Sequence, residues 1–146
     1  MMTILSEKEI QKNLENGKLK IKPFSQEGLQ PASYDLRTKK NREIDGLTLI
    51  STLEKIELPP NIAGIIRMRS TYSREGIFFS GGYIDPGYKG EITLCLTNAD
   101  KTIEIKEKER IAQIIFLEIK GETQGYNGKY QNSKGPTESR RKLNGF

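Results

Sequence analysis

Histidine is absent from the 146-residue chain, and cysteine occurs once, as Cys95. Without an imidazole there is no Ser-His-Asp or Cys-His catalysis. One thiol and no imidazole cannot build a typical zinc site, which draws most of its ligands from those two residue types. Zinc-dependent nucleobase deamination is therefore excluded. A lone cysteine forms no intrachain disulfide and fits a reducing compartment, which points to the cytoplasm. No apolar run approaches the roughly 18 residues of a membrane span. Met1-Met2 lead into a polar, charged segment that does not read as a secretory signal, and no membrane partner is expected. Hydrophobic residues are also scarce, at 34%, with a mean hydropathy of −0.63. That is lean for one domain. It fits a β-rich domain that buries a modest core or completes it by oligomerising.

Positive charge is present but uneven. The formal charge is +5, and the stretch from Lys120 onward carries +4 of it: Lys120, Lys129, Lys134, Arg140, Arg141 and Lys142 against Glu122 and Glu138. A basic segment of this kind binds nucleic acid or a small polyanion. No aromatic-rich stacking platform accompanies it, so a nucleic-acid partner is not expected.

The order of elements suggests an all-β domain. Ser6 and Glu9 form a capping box, Leu5 can staple against Ile10, and Gly17 is a natural stop. These predict one short, peripheral N-terminal helix. Short strands follow at Ser33–Arg37, Thr52–Leu58, Asn61–Met68, Glu91–Asn98 and Ile111–Ile119. Glu91–Asn98 alternates strictly, with Ile92, Leu94 and Leu96 on one face and Thr93, Cys95 and Thr97 on the other. Many short strands separated by turn residues indicate a distorted β-barrel or jelly-roll-like domain over residues 1–120. Residues 121–146 hold five glycines and little that is apolar. They read as an inert tail or a C-terminal arm.

Three segments could carry chemistry. Arg69 to Gly76 combines Arg69 and Arg74 with Ser70, Thr71 and Ser73. It is either a phosphate-binding helical turn or a capped surface turn with solvated arginines. Gly81-Gly82-Tyr83-Ile84-Asp85-Pro86-Gly87-Tyr88-Lys89-Gly90 fixes an irregular backbone around one acid. Asp85 either orients a water or only satisfies the N–H groups of a hairpin turn. Gln113, inside an apolar run, is either a structural hydrogen-bonder or a ligand contact. No Walker or Rossmann glycine signature is present.

In order, these segments resemble the dUTPase and dCTP deaminase superfamily. Leu29–Arg37 is similar to its first motif, Arg69–Gly76 to its second, Ile84–Gly90 to its third and Glu109–Phe116 to its fourth. Gly128–Gln131, Gly135-Pro136-Thr137 and Ser139-Arg140 are similar to the deaminase-type C-terminal motif. The resemblance implies a dUTPase-type fold, a homotrimer with sites at subunit interfaces, and a flexible arm that closes over a triphosphate. For a dUTP diphosphatase it implies that Asp85 activates water for attack on the α-phosphorus, giving dUMP and pyrophosphate. Arg69, Ser70, Thr71, Arg74 and Gln113 would hold phosphate oxygens, with Tyr126, Lys129 and Lys134 reaching in from the arm. Gly81, Gly82, Tyr83, Thr93, Leu94 and Cys95 would read the base, and Tyr88 would lie against the deoxyribose. Mg²⁺ would ride mainly on the triphosphate, with Asp35 touching its water shell or bracing the site.

The alternative that the resemblance offers is dCTP deamination, alone or in a bifunctional enzyme. Deaminase members carry a Glu as proton shuttle on the strand after the third motif. Ten residues past Asp85, that position is Cys95 here, and a thiol is a poor proton carrier beside a carboxylate. Glu91 lies on the same face but roughly 13 Å away along the strand. The sequence therefore favours dUTP hydrolysis, as in archaeal-type dUTPases built on a deaminase scaffold. A non-catalytic deoxynucleotide-binding module is the third reading.

Overall fold

The computed structural model describes residues 3–141. The elements run β1 (Thr3–Ile4), α1 (Glu7–Glu15), β2 (Lys20–Lys22), a single 3-10 turn at Gln26–Gly28, β3 (Leu29–Gln30), β4 (Ser33–Arg37), β5 (Arg42–Ile44) and β6 (Thr48–Glu57). They continue as β7 (Ile62–Met68), α2 (Ser70–Arg74), β8 (Ile77–Ser80), β9 (Tyr83–Ile84), β10 (Lys89–Asn98), β11 (Ile103–Ile105) and β12 (Arg110–Glu118).

The helix α1 starts and stops where the sequence places it. Ser6 Oγ accepts the Glu9 N–H at 3.4 Å, Leu5 and Ile10 are both buried, and Gly17 leaves the helix with φ +73°. All pairings between the strands are antiparallel. One six-stranded sheet runs β3-β4-β12-β7-β9, with β1 continuing beside β12. A four-stranded sheet runs β2-β6-β10-β8, and β5 and β11 form a separate ribbon. The result is the expected all-β, jelly-roll-like domain, and its sheets do not close into a single barrel among the described residues.

The core follows strand parity. Along β10, Ile92, Leu94 and Leu96 are buried while Thr93, Cys95 and Thr97 are only half-buried. β12 lies between β4 and β7, and its run from Ile111 to Leu117 is almost wholly buried. The short strands β2, β5 and β11 each turn one or two isoleucines inward (Ile21, Ile44, and Ile103 with Ile105) between exposed charged residues. β6 starts at Thr48, earlier than the sequence suggests, and it is irregular where Glu91 and Thr93 of β10 pair with Lys55 and Ser51. Inside that irregularity Glu54 is fully buried. It accepts from Arg37 Nε at 2.7 Å and from the Arg37 N–H at 2.9 Å. Burial raises the Glu54 carboxyl above its ordinary pKa, against the lowering effect of Arg37.

Candidate active site

Two concavities divide the predicted residues. The first, about 420 Å³, lies between the β8–β9 turn, the outward face of β10 and the C-terminal segment. It is lined by Gly81, Gly82, Tyr83, Asp85, Tyr88, Thr93, Cys95 and Tyr126 of the predicted set. The second, about 720 Å³, is an open polar cleft on the six-stranded sheet. It is lined by Asp35, Arg69, Ser70, Arg74 and Gln113, with Arg67 as an addition that the sequence reading missed. No residue lines both.

The first cavity depends on close backbone approaches. Gly82, with φ +107°, tucks the turn onto β7, where its carbonyl accepts from the Ile66 N–H at 2.7 Å. A Cβ there would meet the Phe79 ring at 2.6 Å. Gly87, with φ +83°, lets the C-terminal segment pass so closely that a Cβ would lie 2.8 Å from both Gly125 Cα and the Tyr126 nitrogen. Asp85 is exposed between these glycines. Its carboxylate accepts no hydrogen bond and joins no ion pair among the described residues. The turn is instead closed by backbone, with the Tyr88 N–H donating to the Asp85 carbonyl at 3.2 Å. The turn-satisfying role weighed for Asp85 is thus filled without its side chain, which is left facing the cavity.

Tyr88 is buried. Its hydroxyl donates to the Glu91 carbonyl at 2.7 Å, and its ring lies 5.8 Å from that of Tyr126. On β10, Cys95 pairs with Ser80 of β8 and Gly90 bridges to Ser133 of the C-terminal segment. Between these partners, at Thr93, that edge of the strand has no strand neighbour among the described residues, so its backbone is available to a flat polar ligand. The Leu94 side chain is fully buried in the core, and Leu94 pairs with Ile50 of β6.

The second cleft is a row across three strands. Gln113 on β12 stands opposite Asp35 on β4 and Arg67 on β7. Asp35 is buried, and its Oδ2 lies 3.3 Å from both Arg69 Nε and Arg110 Nη1. Burial raises its pKa, and the two guanidiniums oppose that rise. The row presents arginines and an amide, a donor set suited to phosphate oxygens. Gln113 is half-buried and lines the cleft, which makes it accessible to a ligand. Thr71 lies exposed on α2 outside this lining.

A resident metal does not fit these residues. No group of three or more Cys, Asp or Glu side chains among the described residues is placed to hold an ion. Asp35, the suggested metal contact, already has one oxygen shared by two guanidiniums.

Among the described residues the C-terminal segment has no helix or strand after β12, yet residues 121–141 pack against the body. The Tyr126 N–H donates to the Pro86 carbonyl at 2.7 Å, and Gln131 Oε1 accepts the Lys89 N–H at 2.7 Å. The Thr137 N–H donates to Thr93 Oγ1 at 2.9 Å. Tyr126 therefore belongs to the first cavity and not to the phosphate row. Lys129 Nζ sits 5.6 Å from the Tyr130 ring centre, and Lys134 is exposed outside both concavities. Lys142 lies outside the described residues. Glu138 also escaped the sequence reading; it lines the first cavity with Asp85 and is its other carboxylate. Its only sequence signal is being one of two acids in a basic segment.

The site thus combines, on a jelly-roll-like β domain, a cavity of about 420 Å³ and an arginine-lined cleft. The family model described as dCTP deaminase-like matches residues 4–48 and 43–119, and the chain belongs to that family. It is 41% identical over 133 residues to a dCTP deaminase of Pyrococcus abyssi, covering 78% of this chain and 86% of that one. It is 32% identical over 169 residues to a dUMP-forming dCTP deaminase of Aquifex aeolicus, covering 94% of each. Among solved structures, the dCTP deaminase of Agrobacterium tumefaciens aligns with TM-score 0.70 at 19% identity, over 80% of this chain and 48% of that one. The native EIAV dUTPase aligns with TM-score 0.58 at 25% identity, over 90% of this chain and 99% of that one. This chain thus spans about half of the Agrobacterium enzyme and nearly all of the viral one. No helix among the described residues is long and apolar enough to cross a membrane.

Proposed function

We propose that this protein deaminates dCTP in the cytoplasm, giving dUTP and ammonia. The observation that carries the proposal is the 41% identity to a protein named dCTP deaminase over most of both chains. The reaction forms a bond from water oxygen to C4 and breaks the bond from C4 to the exocyclic nitrogen. A base must take a proton from water, and an acid must deliver one to the departing amine. Cys95 stands on β10 where deaminase members carry a carboxylate, which counts against deamination. The first cavity nevertheless holds two carboxylates, Asp85 and Glu138, and Glu138 arrives from the C-terminal segment. These two groups can share the proton transfers. Thr93, Gly81 and Gly82 surround the base, and Tyr88 bounds the sugar. Arg69, Arg74, Ser70 and Gln113 bind the phosphates, and Mg²⁺ enters on the triphosphate as part of the substrate.

The second reading is dUTP diphosphatase activity, favoured specifically by Cys95. In it, water held at Asp85 attacks the α-phosphorus and pyrophosphate leaves. The dUMP-forming name of the Aquifex relative describes an enzyme that ends at the monophosphate. Ammonia released from dCTP supports deamination, and pyrophosphate from dUTP without ammonia from dCTP supports the second reading.

Either reaction needs both concavities around one nucleotide, and they share no lining residue. We take the active form to be the homotrimer that the resemblance to dUTPase-type enzymes implies, in which one copy presents Asp85 and another presents Arg69. Asp85→Asn and Arg69→Ala proteins should each be inactive alone. Dissociated, mixed and reassembled at equal amounts, they should recover about a quarter of wild-type activity, the share of interfaces with two intact halves. No recovery in verified mixed oligomers would place both residues in a site built from one copy.

A further inference from the structure

We infer that Glu91 is a positioning residue, the clasp that seats the C-terminal arm across the mouth of the nucleotide cavity. Glu91 Oε1 pairs with Lys39 Nζ at 2.6 Å. Its Oε2 accepts from Ser51 Oγ at 2.9 Å and from the Gly135 N–H at 2.6 Å. The Glu91 backbone joins the same arrangement: its N–H donates to the Ser133 carbonyl at 2.9 Å, and its carbonyl accepts the Tyr88 hydroxyl. Two residues past Gly135, the Thr137 N–H is held by Thr93 Oγ1, and Thr137, Glu138 and Ser139 line the cavity.

Lys134, Pro136, Glu138 and Ser139 are exposed, so apolar burial contributes little to the seat. A charge-assisted bond from a backbone N–H to a partly buried carboxylate is among the stronger hydrogen bonds available. Lys39 keeps that carboxylate ionised and oriented. Glu91 lines neither concavity, so it does not touch the substrate in either. It acts through the arm, and through the carboxylate of Glu138 that the arm carries.

The inference rests on the first cavity receiving the base and sugar, and it holds for either reaction. The test uses the full chain, with Glu91→Ala and Lys39→Met as separate variants. Amide hydrogen exchange is followed without nucleotide, and steady-state kinetics are measured on dCTP and dUTP with Mg²⁺. Exchange in peptides covering 133–139 should quicken about tenfold or more in both variants, while exchange across β12 stays unchanged. On dCTP, KM should rise and kcat should fall, each by about tenfold, because the loosened arm also carries Glu138. Unchanged exchange at 133–139 in both variants would overturn the inference, whatever happens to the kinetics. If Glu91→Ala does not fold, Lys39→Met decides alone. Because exchange is read without turnover, a wild-type protein inactive on both nucleotides would remove the proposed reactions and leave the clasp to be judged separately.

Discussion

Asp85→Asn is expected to lower turnover by about 10²–10⁴-fold, the usual contribution of a positioned proton-transfer group. Asn has nearly the same shape, so the cavity and nucleotide binding should persist, but the amide cannot accept a proton from water. The fold should also tolerate the change. The Asp85 side chain holds nothing among the described residues, since the turn is closed by the backbone bond from Tyr88 to the Asp85 carbonyl and by the Tyr126 N–H on Pro86. The melting temperature should therefore stay within about 2 °C of wild type, the shift of a loss below about 1 kcal/mol. A variant that melts early and retains turnover would make Asp85 a turn residue. The measurement is kcat together with a thermal melt.

The second large effect falls on stability, away from the chemistry. Arg37→Met should destabilise the domain by about 3–5 kcal/mol, because it leaves the fully buried Glu54 without its cation. Methionine retains most of the apolar stem, so the loss reports the charge and not a cavity. For a chain of this size the melting temperature should fall by roughly 6–20 °C. The pH dependence fixes the mechanism. Burial already raises the Glu54 pKa in the folded protein, and removing Arg37 raises it further. A carboxyl whose folded pKa lies above its unfolded value destabilises increasingly as pH rises through that interval. Below both values it costs nothing. The deficit of Arg37→Met should therefore be smaller in mild acid than at neutral pH. A deficit that is constant with pH would assign the loss to packing.

Much of this was legible in the sequence where local rules act alone. The cap at Ser6, the stop at Gly17 and the parity of β10 follow from spacing, and the structure reproduces them. The grouping of Asp85 with Gly81, Gly82, Tyr88, Thr93 and Cys95 was legible because those residues lie in one turn and the strand after it. The arm was not. Its seat depends on Glu91, Lys39 and Ser51, which come from three distant parts of the chain, and on the absence of a side chain at Gly87. Tyr126 and Lys129 could be assigned to phosphates only by assuming a path for the arm. Glu138 could not be placed at all. The Arg37–Glu54 pair was hidden for a similar reason, since an irregular stretch of β6 turns a charged residue inward. Cys95 carried most weight in the sequence reading, because counting along one strand cannot register a carboxylate brought in by another segment.

The most direct test is to incubate the protein with dCTP and Mg²⁺ and follow the nucleotides by ion-exchange chromatography, with ammonia assayed in parallel. Deamination predicts loss of dCTP with ammonia in equal amount and a uracil nucleotide as product. That product is dUTP, or dUMP with pyrophosphate if the chain also cleaves the triphosphate. Unchanged dCTP and no ammonia, under conditions in which the same preparation converts dUTP to dUMP, would contradict it.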